Sequence, residues 1–168
     1  MRYAILLTTA VITATVACAD IRDIVNGHEI PSLHYADQPY VVVLEDGTWV
    51  CTLTTGPGVE GKEGQHVVAT RSTDQGKTWS ELVAIEPPEG PAASWIVPLV
   101  TPYGRIYGFY TYNGDEVDLG RNDVHGWYAF KYSDDGGKTW CARTHQLPYR
   151  RTACDTLVKD GQPVNMFW

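Results

Sequence analysis

The sequence has few basic residues, and this shortage limits the partners that it can bind. It carries 13 Lys and Arg residues against 20 Asp and Glu residues, which gives a formal net charge of -7. Its largest basic cluster is the pair Arg150-Arg151. A nucleic-acid surface needs a concentrated positive face that neutralises phosphates. We therefore expect no nucleic-acid partner.

Cysteine is also scarce, and its spacing fits no zinc site. The chain has 4 Cys residues and contains neither CxxC nor HxxxH, the spacings that zinc sites use. An acidic stretch at 115–118 lacks the ordered spacing of a calcium loop. Three cysteines remain if Cys18 is removed with a leader, so at least one thiol has no partner within the chain. We expect buried cysteines on strands at Cys51, Cys141 and Cys154, and no metal or other cofactor.

Long apolar runs are lacking after the first twenty residues. An apolar run over 4–17 follows Arg2 and is too short to span a bilayer comfortably. Small residues then follow at Ala17-Cys18-Ala19, in the positions that a signal peptidase reads. We predict a signal peptide over 1–19, cleavage before Asp20, and a secreted or periplasmic protein without membrane contact after cleavage. A lipid anchor on the cysteine and a buried hydrophobic helix are the alternatives.

Stretches with the 3.6-residue period of a helix are lacking too. The sequence contains instead two copies of one turn motif. RSTDQGKTW over 71–79 returns as YSDDGGKTW over 132–140, with a spacing of 61 residues from Ser72 to Ser133. A repeat at such a period indicates a repeat architecture. The residues that coincide are Ser72 and Ser133, Asp74 and Asp135, Gly76 and Gly137, Lys77 and Lys138, Thr78 and Thr139, and Trp79 and Trp140.

Short β-rich runs surround each copy of the turn and alternate with Gly, Asp and Pro. We predict two four-stranded units, with strands over 39–44, 49–54, 66–72 and 79–85 in the first and over 95–101, 105–112, 127–133 and 140–145 in the second. The hairpin glycines Gly47, Gly104 and Gly161 recur every 57 residues. A third unit therefore begins near Cys154, and we expect its second strand over 164–168.

Four-stranded antiparallel units repeated at this length are typical of a β-propeller. We therefore predict an all-β domain over 20–168, with blades at about 33–86 and 94–146 and the start of a third at about 153–168. Two and a half blades do not close, because a propeller has about four to eight blades, here about six. We expect a fragment of a longer protein; an open array with an exposed apolar edge is the alternative.

The repeated pattern Ser-x-Asp-x-Gly-x-Thr-Trp resembles the Asp-box of the sialidase-like, or BNR-repeat, propellers. The phrases PYVVVLEDGTWVC and GRIYGFYT are similar to the inner strands of that family. The chemistry of the turn is structural: the Asp accepts backbone N–H groups, the Gly adopts a left-handed conformation, and the Thr hydroxyl closes the loop. The Trp leads into the next strand and buries its ring between sheets.

The resemblance implies a secreted exo-glycosidase that acts on a terminal acidic sugar such as sialic acid. It implies three arginines on the sugar carboxylate, an Asp acid/base, and a Tyr nucleophile activated by a Glu. The first arginine precedes the Pro of the first inner strand, but this chain reads Asp37-Gln38-Pro39 there. Neither Asp nor Gln replaces a bidentate guanidinium. The loop where the family has its Asp offers Glu60 and Glu63, and the remaining catalytic residues would lie in later blades.

Function is expected on the longer, irregular loops at one end of the blades. These are the loops over 55–65 and 113–126, the crossings over 86–94 and 146–153, and the starts of the inner strands. The catalytic candidates there are Asp37, Glu60 and Glu63, and the substrate-binding candidates are Gln65, His66, Trp95, Arg121, Arg150 and Arg151, with Trp127 as a second aromatic.

Three functions remain open. The first is a sialidase-like exo-glycosidase with an altered substrate, the second is a carbohydrate-binding propeller without catalysis, and the third is a scaffold propeller. The missing arginine favours the second and third, whereas the acidic loops favour the first.

Overall fold

The computed structural model describes residues 20, 22–59, 64–116, 126–151, 156–159 and 162–165. The predicted signal peptide and Cys18 lie outside these residues. Within the described ranges, no helix is long and apolar enough to cross a membrane.

The described chain forms two four-stranded antiparallel sheets and a separate two-stranded hairpin, after a short 3-10 turn at Ile24–Asn26. In each sheet the strands are hydrogen-bonded in chain order. The all-β class and the four-stranded units are confirmed, and the described strands form open sheets. The first sheet contains β1 (Tyr35–Val43), β2 (Trp49–Gly56), β3 (His66–Ser72) and β4 (Val83–Ala84); the second contains β5 (Ala93–Val100), β6 (Ile106–Tyr112), β7 (Gly126–Ser133) and β8 (His145–Arg151); the hairpin contains β9 (Thr156–Lys159) and β10 (Gln162–Asn165).

The fourth strand of each sheet differs from the prediction. Instead of 79–85, β4 covers Val83–Ala84, and β8 begins where the predicted strand over 140–145 ends, so the expected crossing over 146–153 is largely strand. A side chain interrupts each ladder at the same repeat position. Ser80 Oγ accepts the backbone N–H of Arg71 (3.1 Å), and Cys141 Sγ accepts that of Tyr132 (3.4 Å). Because these side chains take the place of a backbone carbonyl, pairing resumes only later.

Smaller differences occur at the inner strands and the hairpin. The inner strands β1 and β5 begin at Tyr35 and Ala93, earlier than the predicted starts at residues 39 and 95. Strand β10 begins at Gln162 rather than at residue 164. The starts of β1 and β5 are bulged, which hides the alternation of side chains that defines a strand in sequence.

The two sheets share one apolar core. It contains Val50, Val67 and Ala69 of the first sheet and Ile96 and Ile106 of the second, all fully buried. Strand β5 lies between the sheets, against β1, β2 and β3. The burial of aliphatic side chains in this layer is the main stabilising term that joins the sheets.

A second apolar cluster lies on the opposite face of the first sheet. Cys51, Leu53 and Val68 are buried there, under Ile30, Leu82 and the half-buried ring of Trp79. Desolvation by this burial raises the pKa of the Cys51 thiol to about 11. The thiol is therefore protonated and inert in the folded sheet.

Each copy of the repeated turn is closed by the same hydrogen bonds. In the second copy, Ser133 Oγ donates to Asp135 Oδ1 (2.8 Å) and accepts from Gly137 N (2.8 Å). Asp135 Oδ1 accepts from Thr139 N (2.9 Å), and Oδ2 accepts from Thr139 Oγ1 (2.6 Å). Gly137 has a φ of 82°, and a Cβ there would lie 2.9 Å from Val50 Cγ1. The second turn thus contacts the first sheet in addition to connecting strands of the second sheet.

These bonds change the acidity of both turn carboxylates. Desolvation opposes ionisation of Asp135, but the hydrogen bonds from Thr139 and Ser133 outweigh it and lower its pKa to about 2. In the first copy, hydrogen bonds from the backbone and hydroxyl of Thr78 lower the pKa of Asp74 to about 2. Both carboxylates are ionised acceptors at neutral pH.

Candidate functional site

The strand register brings most of the described site candidates to one end of the two sheets. Asp37 pairs with Thr54, and Thr55 pairs with His66 in the first sheet. In the second sheet Ser94 pairs with Thr111, and Trp127 pairs with Tyr112 on one side and Arg150 on the other. We call this end, where β1, β3, β5 and β7 begin and β2, β6 and β8 finish, the mouth end.

Both inner strands are bulged at the same position of the mouth end. The register of β1 shifts between Asp37 and Tyr40, and that of β5 shifts between Ser94 and Val97. At the two bulges Gln38 has a φ of 49° and Trp95 a φ of 60°. These two residues are 57 positions apart, the same spacing as the hairpin glycines. The bulge is therefore a property of the repeat.

Neither bulge uses glycine, so both store backbone strain. A bulky residue with positive φ is a genuine outlier, and the Pro after Gln38 further restricts that residue's backbone. Such conformations cost about 1–3 kcal/mol each and persist where the surroundings fix them, which is common at ligand sites. Bulges also redirect a side chain away from the regular alternation of the strand. The mouth end thus carries two side chains in positions that an ordinary strand does not offer.

Threonines at the end of β2 hold both inner strands in place. Thr54 Oγ1 accepts the backbone N–H of Trp95 (2.8 Å), which ties the second bulge to the first sheet. Thr55 Oγ1 donates to Tyr35 O (2.7 Å) and accepts from Leu33 N (2.8 Å). A third tie is the bond from Ala93 N to Gln65 O (3.2 Å). Sequence reasoning missed the two threonines, because threonine is ordinary in a strand.

The predicted first-sheet candidates differ in how open they are. Asp37 is half-buried, and its carboxylate forms no hydrogen bond within the described part of the chain. Gln65 and His66 are 2% and 4% exposed. His66 Nδ1 donates to Gly64 O (2.9 Å), which fixes the ring beside the loop after β2. Asp37 is thus more accessible to a ligand than His66 and Gln65, which support that loop.

The remaining candidates divide between the second sheet and the undescribed loops. Trp95 is half-buried at its bulge, and Arg150 and Arg151 lie at the mouth end of β8, opposite Trp127 and Gly126. Glu60, Glu63 and Arg121 lie outside the described residues.

Acidic and aromatic groups meet where β6 ends and β7 begins. Trp127 Nε1 donates to Asp115 Oδ2 (3.1 Å), so the indole is held at the mouth end by the loop after β6. Tyr112 is half-buried and contacts Tyr110 edge-on, with ring centroids 6.5 Å apart. Desolvation, followed by the charges of Glu86 and Glu116, raises the pKa of Tyr112. The rings of Trp127 and Tyr112 therefore present neutral surfaces at this end.

A buried polar cluster between the sheets was not predicted. Glu86 Oε1 accepts from Tyr110 Oη (2.5 Å) and Thr144 Oγ1 (2.7 Å), and Oε2 accepts from Lys131 Nζ (3.1 Å). Lys131 Nζ also donates to Ile85 O (2.7 Å). We call Glu86, Tyr110, Thr144 and Lys131 the Glu86 cluster.

The Glu86 cluster joins the sheets and is closed to substrate. A tyrosine beside a glutamate has the composition of a glycosidase nucleophile, but Tyr110 is 2% exposed and Glu86 3% exposed. Desolvation, together with the bond to the Glu86 carboxylate, raises the pKa of Tyr110 far above its usual range. A neutral, buried phenol does not attack a sugar, so we assign the cluster a structural role.

An open groove of about 590 Å³ lies at the other end of the sheets. The hairpin turns at 44–46 and 101–104 line it, together with Arg71, Asp135 and Lys138. Its charges are mixed in sign. In the described part of the chain, no three His, Cys, Asp or Glu side chains gather as a metal site.

Comparison with known proteins relates the fold to sialidases. No family model and no curated protein matches the chain. The structure titled "Hadza microbial sialidase Hz136" is similar with a TM-score of 0.54 and 22% identity, over 63% of this chain and 25% of that one. A protein of unknown function from Dyadobacter fermentans DSM 18053 is similar with a TM-score of 0.52 and 19% identity, over 67% of this chain and 35% of that one. The chain thus spans between a quarter and about a third of those proteins, with which it shares a sialidase-like arrangement of β-sheets.

Proposed function

We propose that this chain is part of a sialidase-like β-propeller, and that the full-length protein is a secreted exo-glycosidase that acts on terminal sugars at the mouth end. The observation that carries the proposal is the repeated bulge, which places strained Gln38 and Trp95 where the other candidates converge. Ser94 Oγ, beside the second bulge, is buried without a hydrogen-bond partner in the described part of the chain. Strain and an unpaired polar group at one place are typical of a ligand site.

The chemistry of the mouth end favours a neutral sugar over an acidic one. Asp37 occupies the position where the family resemblance implies the first arginine. Two like charges about 4 Å apart repel by about 4 kcal/mol at an effective dielectric of about 20. An acidic sugar would therefore bind in a rotated orientation, held by Arg121, Arg150, Arg151 or arginines of later blades. The rings of Trp95 and Trp127 offer apolar surfaces on which a sugar ring stacks.

The proposed proton donor is Glu60 or Glu63. Cleavage of a glycosidic bond needs a carboxylic acid that protonates the leaving oxygen. Both residues belong to the loop after β2, which lies between Thr55 and the buried His66. Asp37 pairs with Thr54, close to the end of β2 where this segment of the chain begins.

Hydrolysis of a panel of aryl glycosides, including an aryl sialoside, tests this assignment in the full-length protein. We expect Glu63→Gln or Glu60→Gln to lower kcat without changing the melting temperature, and Asp37→Asn to improve the relative activity on the sialoside. Glu45→Gln, at the opposite end of the first sheet, is the matched control. Efficient sialoside cleavage that neither Asp37→Asn nor a change at Glu60 and Glu63 affects would overturn both the substrate and the acid.

A carbohydrate-binding propeller without catalysis is the second candidate, and the missing first arginine favours it. In that case no glycoside of the panel is hydrolysed, but sugars quench the tryptophan fluorescence. Trp95→Ala then abolishes the quenching, whereas Glu63→Gln does not. A scaffold propeller would show neither hydrolysis nor quenching.

A further inference from the structure

The open groove at the end opposite the mouth end is formed by the same stretch of each sheet. The last residues of the inner strands, Val43 and Val100, both line it and are 57 positions apart. The hairpin turns that follow these strands continue the lining. All of these residues belong to the described part of the chain, so the first two sheets are sufficient to form the groove.

The second copy of the repeated turn lines the groove and packs on the first sheet. A Cβ at Gly136 would lie 3.2 Å from Leu44 Cδ1, which shows how closely the turn approaches the first hairpin. A Cβ at Gly137 would lie 3.9 Å from Arg71 Cδ. The side chain of Arg71, which also lines the groove, therefore lies beside the turn.

Arg71 brings to the groove a guanidinium that lacks a carboxylate partner. Its Nε is buried and has no hydrogen-bond partner in the described part of the chain. Hydrogen bonds from Thr48, and to a smaller extent the charge of Arg71, lower the pKa of Asp46. Within the described ranges, no Asp or Glu forms an ion pair with Arg71 or with Lys138, the exposed second cation of the groove. Burial removes water from the guanidinium, and no protein acceptor replaces it.

The second sheet shows how a guanidinium at this end is satisfied. Arg105 lies 4.2 Å from the ring centroid of Tyr132, and Asp134 accepts its Nε and Nη2 at 2.6 and 2.8 Å. At the 61-residue spacing, Tyr132 is the equivalent of Arg71, and Asp134 is the equivalent of Thr73, which carries no charge. The first sheet therefore has the cation without the carboxylate.

The rest of the lining restricts the ligand that the groove accepts. Acidic side chains, among them Asp46 and Asp135, also line it, so they would repel a ligand with several negative charges and accept N–H donors. Val43 is 54% exposed, and Pro102 adds a second apolar surface. No aromatic ring lines the groove in the part of the chain that the structure describes, so it lacks a surface on which a sugar ring stacks.

We propose that the groove binds the C-terminus of a peptide or protein partner, with the terminal carboxylate on the guanidinium of Arg71. Guanidinium and carboxylate pair with two parallel bonds, as Arg105 and Asp134 do on the second sheet. An apolar last side chain would contact Val43, and the acidic side chains would accept the N–H groups of the peptide. Capture of a terminal carboxylate is a recurrent mode of peptide recognition.

The size and place of the groove suit this ligand. Its volume of about 590 Å³ is that of a small-ligand site. It lies at the opposite end of the sheets from Asp37 and Trp95, so the proposal does not rest on any sugar chemistry. Hydrolysis of glycosides does not enter its test, and the site can fail or hold whether or not the protein is a glycosidase.

Ligand-observed NMR titration of the full-length protein with the peptide acetyl-Gly-Gly-Val tests the proposal. The matched peptide that ends in a carboxamide loses only the negative charge, and we expect it to bind at least about tenfold more weakly. Acetyl-Gly-Gly-Gly, which lacks the apolar side chain, should bind a few-fold more weakly. These comparisons use the unmodified protein, so they do not depend on the folding of any variant.

Variants locate the carboxylate. Arg71→Gln should lower the affinity for acetyl-Gly-Gly-Val at least about tenfold, and Arg71→Lys, which keeps the charge but not the planar fork, should have an intermediate effect. Arg105→Gln is the matched control and should leave the affinity unchanged, because that guanidinium is already paired with Asp134. Lys138→Gln should cause a smaller loss that shrinks in high salt.

Four results would overturn the proposal. The first is equal binding of the acid and the amide, and the second is an affinity that Arg71→Gln leaves unchanged, because the carboxylate would then be held elsewhere. The third is an equal loss in Arg71→Gln and Arg105→Gln, which is the behaviour of a general charge effect. The last is tighter binding of methyl glucuronide than of the peptide, lost in Arg71→Gln, which would replace the peptide with an acidic sugar.

Discussion

Removing the cation of the Glu86 cluster should destabilise the protein more than any change at an exposed ion pair. The side chains of Lys131 and Glu86 are 8% and 4% exposed, so neither is solvated by water after its partner is lost. In Lys131→Met, Glu86 keeps the hydroxyls of Tyr110 and Thr144 but has no counter-charge. Breaking a buried pair in this way costs about 3–5 kcal/mol. Tyr110→Phe removes one hydrogen bond to the carboxylate and should cost about 1–2 kcal/mol.

Urea unfolding of single and double variants measures these free energies. Because Glu86→Gln also removes the charge, the double variant Lys131→Met/Glu86→Gln should lose less stability than the sum of the single changes, with a coupling of about 2–3 kcal/mol. Salt should not alter the coupling, since a buried pair is poorly screened. Arg105→Gln, which breaks the exposed pair with Asp134, is the control and should show a smaller, salt-sensitive loss.

Two results would refute this account of the cluster. One is additivity of the Lys131 and Glu86 changes within about 0.5 kcal/mol, which is the behaviour of independent sites. The other is a loss in Lys131→Met that disappears in high salt, because it would mean that water reaches the pair.

Three further predictions concern the turn, the bulge and the N-terminus. Asp135→Ala should lower the free energy of unfolding by about 1–2 kcal/mol at neutral pH. Because the pKa of Asp135 is about 2 in the folded protein and its ordinary value is 3.8, this loss should have its full size above pH 3.8 and shrink as the pH falls toward 2. A loss that persists at pH 2 in thermal melts would contradict this prediction. Gln38→Gly should raise the free energy of unfolding by about 1 kcal/mol by releasing strain, whereas Val41→Gly in the same strand should lower it; equal losses would contradict the strain. Mass spectrometry of the exported protein should find Asp20 first, and a protein that begins at Met1 would rule out the signal peptide.

The repeated turn and the hairpins could be predicted because their signals are local. Asp135, Gly137 and Thr139 lie within one five-residue segment, so their spacing in the sequence is enough to predict the conformation of the turn. The glycines Gly47 and Gly104 similarly mark turns that need positive φ. These local rules were sufficient for two sheets of four strands.

The fourth strand of each sheet was predicted, but its bounds were wrong because an equally local rule was ambiguous. The run after Trp79 has the apolar, β-branched composition of a strand, but Ser80 Oγ takes the ladder hydrogen bond of Arg71. Cys141 does the same with sulfur, at the equivalent position of the second sheet. Side-chain acceptors that compete with a backbone carbonyl leave no mark in hydrophobic periodicity.

The Glu86 cluster and the bulges form through contacts between residues that are far apart in the chain. A single sequence does not show which distant residues come into contact. Glu86 is 24 residues from Tyr110 and 45 from Lys131. One signal was available in β7. Lys131 lies between two aromatic residues in the sequence and therefore shares a side of the strand with Ala129 and Ser133, both of which are buried. A lysine between two small residues on the core side of a strand indicates a buried partner.

The burial of Cys51 gives the protein a chemical reporter of its own opening. The thiolate is the form that attacks alkylating reagents, and it is almost absent at neutral pH while desolvation keeps the pKa of Cys51 at about 11. Cys141, in the segment between β7 and β8, is half-exposed rather than buried on a strand as expected, so a reagent reaches it without any opening. The ratio of the labelling rates at Cys51 and Cys141 therefore measures how often the face of the first sheet that carries Cys51 separates from Trp79 and Leu82. Time-resolved alkylation thus turns a packing detail into a measure of local unfolding, with no engineered probe.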